Sequence, residues 1–213
     1  VIQSPSFERW LEHAFDHPEE DPKWHRRPGG EHWSGEPALK AEHIARTFEL
    51  ADEHLARFSD QQIEAGLWMI IGEGYAGAAL DDEVPSELRV RLVRSTCDLF
   101  QKLFAARCRR LELGGGPPIY RICYMFWEIF PLENKPEHPR DAALCEEKIS
   151  ALERILEIDN PMCQYSALHG LGHAQFELPE RSAAIIDSWL VKHETADPRL
   201  REYAQDARTG DIQ

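Results

Sequence analysis

Three stretches of the chain are apolar on almost every side when wound as helices: QQIEAGLWMIIGEGYAGAAL (61–80), IYRICYMFWEIF (119–130) and SALHGLGHA (166–174). A helix without a polar face has nothing to offer water, so each must be enclosed by other elements. Each follows a longer segment whose apolar residues recur on one face only: 38–57, 85–111 and 140–158. Leu39, Ile44, Phe48, Ala51 and Leu55 mark the first such face; Leu144, Ile149, Leu152 and Ile155 mark the last. Amphipathic and enclosed helices in alternation point to a layered all-α fold, and no run alternates with the period of two that a strand requires.

Proline and glycine place the boundaries. Ser4-Pro5 opens a first helix with Phe7, Trp10, Leu11, Ala14 and Phe15 on one stripe. Residues 17–37 hold four prolines and three glycines without helical period and read as a loop. Trp24 and Trp33 within it imply that the loop packs down. Ser59 with Gln62 three residues later forms a capping-box signature. Gly66, Gly74 and Gly77 project near one azimuth of the helix that this box opens, a side that lets another backbone approach. Pro85 starts the next helix, GGGPP (114–118) ends it, and Pro131 closes the one after. Asn160-Pro161, Pro179 and Asp197-Pro198 open the last three, and Gly210 ends the final one. The pattern predicts about nine helices in a single domain. It comprises an N-terminal helix and ordered loop (1–37), three helical hairpins (38–177) and a C-terminal capping hairpin (178–213).

The segment ALERILEIDNP followed by SALHGLGHA resembles the turn and second helix of HEAT-like or armadillo-like repeats, and of uncharacterised bacterial helical-repeat proteins carrying ALHGLGH-type segments. The resemblance spans about residues 38–177. It implies stacked antiparallel hairpins, an α-solenoid with a concave surface lined by the second helices, and it brings no catalytic residues with it.

The net charge of −14 disfavours nucleic acid and anionic membrane as partners and permits a basic protein partner. No apolar run approaches the roughly 20 residues of a membrane helix. Cys97, Cys108, Cys123, Cys145 and Cys163 are an odd, dispersed set without CxxC pairing, which reads as reduced thiols in a cytoplasmic protein.

The candidate chemistry starts at His169 and His173. Four apart on a helix, they share a face and can hold one ion; they can equally make structural hydrogen bonds or meet a partner. Their face projects away from Cys163, Ala167, Leu168 and Leu171, so they are expected off the packed side, with Glu177 extending the row. A zinc site needs at least a third protein ligand, and Glu73 and Glu128 on the other enclosed helices can supply one. A carboxylate in an apolar helix requires a partner, and for Glu128 the expected one is Arg121 or an arginine of a neighbouring helix. Asp81, Asp82 and Glu83 before Pro85 read as caps for the next helix. Arg91, Arg94, Lys102 and Arg109 form a basic arc, either solvated or docking an acidic peptide. Trp68, Tyr75, Phe126 and Trp127 read as core or as a small-molecule pocket.

Glu73, Glu128, Trp127, His169 and His173 are therefore the candidate binding surface, with His169 and His173 as candidate metal ligands and no catalytic set. The leading expectation is a non-catalytic, protein-binding helical-repeat scaffold without a cofactor, for which a bacterial accessory or immunity-type role suits the acidic surface. The alternative is a divalent-metal-binding protein or metal-dependent enzyme centred on the two histidines.

Overall fold

The computed structural model describes residues 6–26, 33, 35–72, 74–114, 116–131 and 139–212, and among these there is no strand. Glu73 lies outside the described residues. The helices are α1 (Phe7–Phe15), α2 (Pro37–Glu49), α3 (Ala51–His54), α4 (Asp60–Gly72), α5 (Tyr75–Ala79), α6 (Ser86–Leu99), α7 (Ala105–Arg107), α8 (Pro118–Ile129), α9 (Pro139–Leu156), α10 (Pro161–Ala174), α11 (Pro179–Lys192) and α12 (Pro198–Thr209). A π-helical turn, Phe100–Phe104, joins α6 to α7, and a 3₁₀ turn spans Trp24–Arg26.

The packing runs in two rows. In one, α2 lies against α6 and α6 against α9; in the other, α4 lies against α8, α8 against α10 and α10 against α12. The second row holds the second and third apolar stretches and the α4 part of the first, whose α5 part packs on α2. Its member α10 also touches α9 and α11 and is buried on nearly every side. Two glycines make that possible. A Cβ on Gly170 would stand 2.6 Å from Leu152 Cδ2 of α9 and 2.9 Å from Trp127 Cγ of α8, and one on Gly172 would stand 2.7 Å from Ile212 Cγ2. The core joins both rows through Phe48, Phe100, Phe104, Phe126 and Trp127.

Capping matches the sequence signals where these are local. Ser59 and Gln62 exchange hydrogen bonds, Ser59 N–H donating to Gln62 Oε1 (3.0 Å) and Gln62 N–H to Ser59 Oγ (3.3 Å). Asn160 Oδ1 accepts from the backbone N–H of Met162 and of Cys163, both at 3.0 Å. Its Nδ2 donates to the carbonyls of Ala105 (3.2 Å) and Cys108 (2.9 Å), tying the start of α10 to the end of α7. Asn160→Ala removes a cap, worth about 1 kcal/mol, and leaves sheltered carbonyls unpaired at about 1–3 kcal/mol more. Urea unfolding is expected to show a loss of about 3 kcal/mol; a loss under about 1 kcal/mol would mean water replaces the amide.

Several expectations change. The helix expected over 38–57 is interrupted at Leu50, and the helix expected over 61–80 ends at Gly72. Gly74, at φ +86° in the left-handed region that glycine enters without penalty, turns the chain into α5. The shared azimuth of Gly66, Gly74 and Gly77 is therefore lost, and of the three Gly66 alone makes a close approach, to α1. The acidic run before Pro85 does not cap α6: Asp81 Oδ1 accepts from Glu83 N–H (2.9 Å) and Asp82 pairs with Arg89 (3.1 Å). Three of the four cations of the basic arc are taken up in ion pairs, and the exposed Arg109 donates to the Ala106 carbonyl. Arg91 pairs with Glu42 (2.7 Å) and Glu49 (2.6 Å) of α2, Arg94 with Glu147 of α9 (2.8 Å), and Lys102 with Asp98 (3.0 Å) and the Glu49 carbonyl. These ion pairs lace one row together from helix to helix. Trp24 and Trp33 pack down as expected, Trp24 stacked on His17 and Trp33 edge-on to Trp10. All five cysteines are free thiols, and all but the partly exposed Cys97 are buried.

Candidate metal centre

Helices α8 and α10, adjacent in the second row, bring three of the sequence candidates together. His169 Nε2 stands 3.2 Å from His173 Nε2 and 3.3 Å from Glu128 Oε2, and the three potential ligand atoms all lie within 4.8 Å of one another. Two placements produce this. The i, i+4 spacing stacks the histidines on α10, and Glu128, near the last turn of α8, reaches across from the neighbouring helix. Among the described residues, no other group of three His, Cys, Asp or Glu side chains converges in this way.

The burial is graded. The His169 side chain is 3% exposed, His173 is intermediate and the Glu128 side chain is 43% exposed, so the cluster opens to solvent on the Glu128 side. The expectation that the histidines face away from the packed side is corrected for His169, while His173 remains half-buried. The helix α12 covers that side and carries Tyr203, whose hydroxyl lies 2.7 Å from His169 Nδ1. Arg121, the expected partner of Glu128, instead forms a two-pronged pair with the buried Glu64 of α4 (2.9 Å and 2.9 Å). Glu128 turns to the histidines in its place. Trp127, 2% exposed, belongs to the core rather than to an open binding surface, as do Phe126 and Tyr75.

Electrostatics keep the imidazoles neutral. Burial first, and then the neighbouring His173, hold the pKa of His169 down to about 4, against the opposite pull of Glu128. Burial also lowers His173, helped by the Lys148 ammonium and opposed by Glu128 and Glu177. Lys148, on α9, is itself pushed down to about 8 by burial. No sequence signal marks it as a neighbour of the cluster, since in a helical wheel it is one more lysine. Neutral imidazole is the form that binds a metal.

The chemistry of the donor set is specific. If Nδ1–H of His169 donates to Tyr203, Nε2 presents a bare lone pair toward the Glu128 oxygen, another electron-rich atom. One proton, or one cation, must relieve that meeting. Ligand atoms about 2.0–2.1 Å from a tetrahedral ion stand about 3.3–3.4 Å apart, and two of the three edges of this triangle are close to that length. Two imidazoles and one carboxylate suit zinc and its first-row neighbours and leave one position open.

The comparisons with known proteins return nothing that bears on this cluster: no family model, no curated protein and no solved structure matches the chain.

Proposed function

We propose that the protein binds one divalent transition ion, of the zinc class, through Glu128 Oε2, His169 Nε2 and His173 Nε2, on a frame of stacked antiparallel helical hairpins of the α-solenoid kind. The observation that carries the reading is the triangle with edges of 3.2 Å and 3.3 Å, with a hydroxyl seated on the far nitrogen of its buried histidine. Metal-bound histidines characteristically have their second nitrogen held in this manner. The exposed side of Glu128 leaves room for a fourth ligand, water or substrate, and an ion held by three protein groups lowers the pKa of such a water toward neutrality. The chemistry this supports is Lewis-acid activation of water or of a carbonyl. The rows α2–α6–α9 and α4–α8–α10, and the contacts between consecutive helices α9 and α10 and α11 and α12, support the frame.

Calorimetric titration of metal-free protein with Zn²⁺ tests the proposal. One ion is expected to bind per chain, and His169→Ala and His173→Ala are each expected to weaken it by at least about 100-fold, one lost ligand costing about 3 kcal/mol or more. Binding no tighter in the natural chain than in these variants would overturn it. The cluster would then be a hydrogen-bonded group beside the core, leaving the non-catalytic protein-binding scaffold, for which the helix rows and the charge of −14 speak, as the reading to pursue.

A further inference from the structure

Behind the three ligands stands a group of tyrosines drawn from three helices. Tyr124 of α8 stacks on Tyr165 of α10 (ring centroids 4.6 Å apart, 15° between planes), and Tyr165 meets Tyr203 of α12 edge-on at 4.5 Å. The Tyr203 hydroxyl lies 2.7 Å from His169 Nδ1 and 3.3 Å from the Tyr124 hydroxyl.

We propose that Tyr203 is a positioning residue for the metal and that, through it, ion binding and the docking of α12 are coupled. The inference rests on the metal reading of the Glu128–His169–His173 cluster. A neutral imidazole carries one N–H, and coordination through Nε2 requires that it be on Nδ1. The Tyr203 oxygen accepts that hydrogen only if its own proton goes elsewhere, and the Tyr124 hydroxyl is in place to take it. With the order reversed, Tyr203 donating to Nδ1, the proton sits on Nε2 and the site is closed to a metal. The tyrosine pair thus gives His169 a directed second contact, and the ion selects one of its two hydrogen arrangements.

The helix on which Tyr203 rides makes the coupling consequential. Of the twelve residues of α12 only Leu200, Ala204 and Ala207 are fully buried, and Tyr203 packs half-buried against the core beside them. Arg201, donating to the Leu190 (2.8 Å) and His193 (2.7 Å) carbonyls, and Arg208, paired with Asp187, tie it to α11 and the residue that follows, while the Tyr203 hydroxyl on His169 ties it to α10. Coupling of this kind is reciprocal: whatever α12 adds to metal affinity, the metal returns to the docking of α12.

The test compares the natural chain with Tyr203→Phe, which keeps the ring and drops the hydroxyl. Zinc is titrated into each metal-free protein, and backbone amide exchange over residues 198–209 is followed with and without saturating zinc. The variant is expected to bind zinc about 10–100-fold more weakly, and the slowing of exchange over 198–209 that zinc produces in the natural chain is expected to be lost. Equal affinity and equal slowing in the two proteins would overturn the inference while leaving the metal site standing. Failure of the natural chain to bind zinc at all would overturn the metal reading itself and the inference with it. Should Tyr203→Phe not fold, Tyr124→Phe serves, since it removes the acceptor for the Tyr203 proton. Zinc binding several-fold weaker than in the natural chain supports the proposal, and unchanged binding overturns it.

Discussion

Gly66→Ala is expected to destabilise the protein by about 2 kcal/mol or more, although alanine is the better helix former by about 1 kcal/mol. A Cβ built on Gly66 stands 2.4 Å from the backbone oxygen of Ala14 and 2.3 Å from Phe15 Cδ1. The phenyl ring is buried and the carbonyl belongs to α1, so neither yields unless the whole helix moves. Overpacking of a filled core costs about 1–3 kcal/mol where side chains can shift, and a backbone contact offers less relief. Moving α1 also disturbs Trp10, Leu11, Ala14 and Phe15, all buried, and the bond from Trp10 Nε1 to Thr47 Oγ1 (3.1 Å). The melting temperature should fall by about 4–8 °C for a domain of this size. Gly77 is the internal control: its added Cβ would meet Pro131 at 3.9 Å, an ordinary contact, so Gly77→Ala should be neutral or stabilising. Equal melting temperatures for the two variants would refute the steric account.

The second large effect is on acid stability. The unfolded chain protonates its histidines near about 6.5, whereas burial holds His169 neutral down to about 4 and also lowers His173 and His54. As pH falls below about 6.5 the unfolded state binds protons that the folded state refuses, so stability declines with acidification. The His169 contribution levels off below about 4. For His169 alone the span corresponds to about 3 kcal/mol. Carboxylates lowered by arginine, Glu146 by Arg181 and Glu147 by Arg94, add their own loss only once pH drops through their ordinary range near 4.5. Urea midpoints of metal-free protein, taken at intervals from about pH 7.5 to about pH 4.5, read the slope. His169→Gln should flatten it over the lower part of that range, and an unchanged slope in that variant would show that His169 is protonated readily in the folded state.

Local signals carry most of the secondary structure. The Ser59–Gln62 box, the Asn160-Pro161 start and the Gly210 stop are each written within a few residues of the boundary they set, and the helix ends obey them. Where the sequence misleads, the deciding contact lies far along the chain. The Arg121–Glu64 pair spans 57 residues, whereas an arginine on the same helix as Glu128 is the partner that local reasoning selects. The wheel turns His169 away from the packed side because it records one helix, while α12, polar in sequence, arrives from 34 residues downstream to cover it. Glu128 itself was legible for a physical reason: a carboxylate in MFWEIF needs a partner, whichever it proves to be. The interruptions at Leu50 and at the π turn carry no proline or glycine to announce them.

That π turn has a consequence at a distance. Phe100–Phe104 takes in one residue more than regular winding would use, which rotates the downstream residues by roughly 100° relative to an unbroken α-helix. The Ala105 and Cys108 carbonyls, which face Asn160, both lie downstream of that offset. The surplus residue thus acts as a phase shifter immediately before the junction where Ala105 meets Asn160, the residue that caps the histidine-bearing helix 55 residues further on.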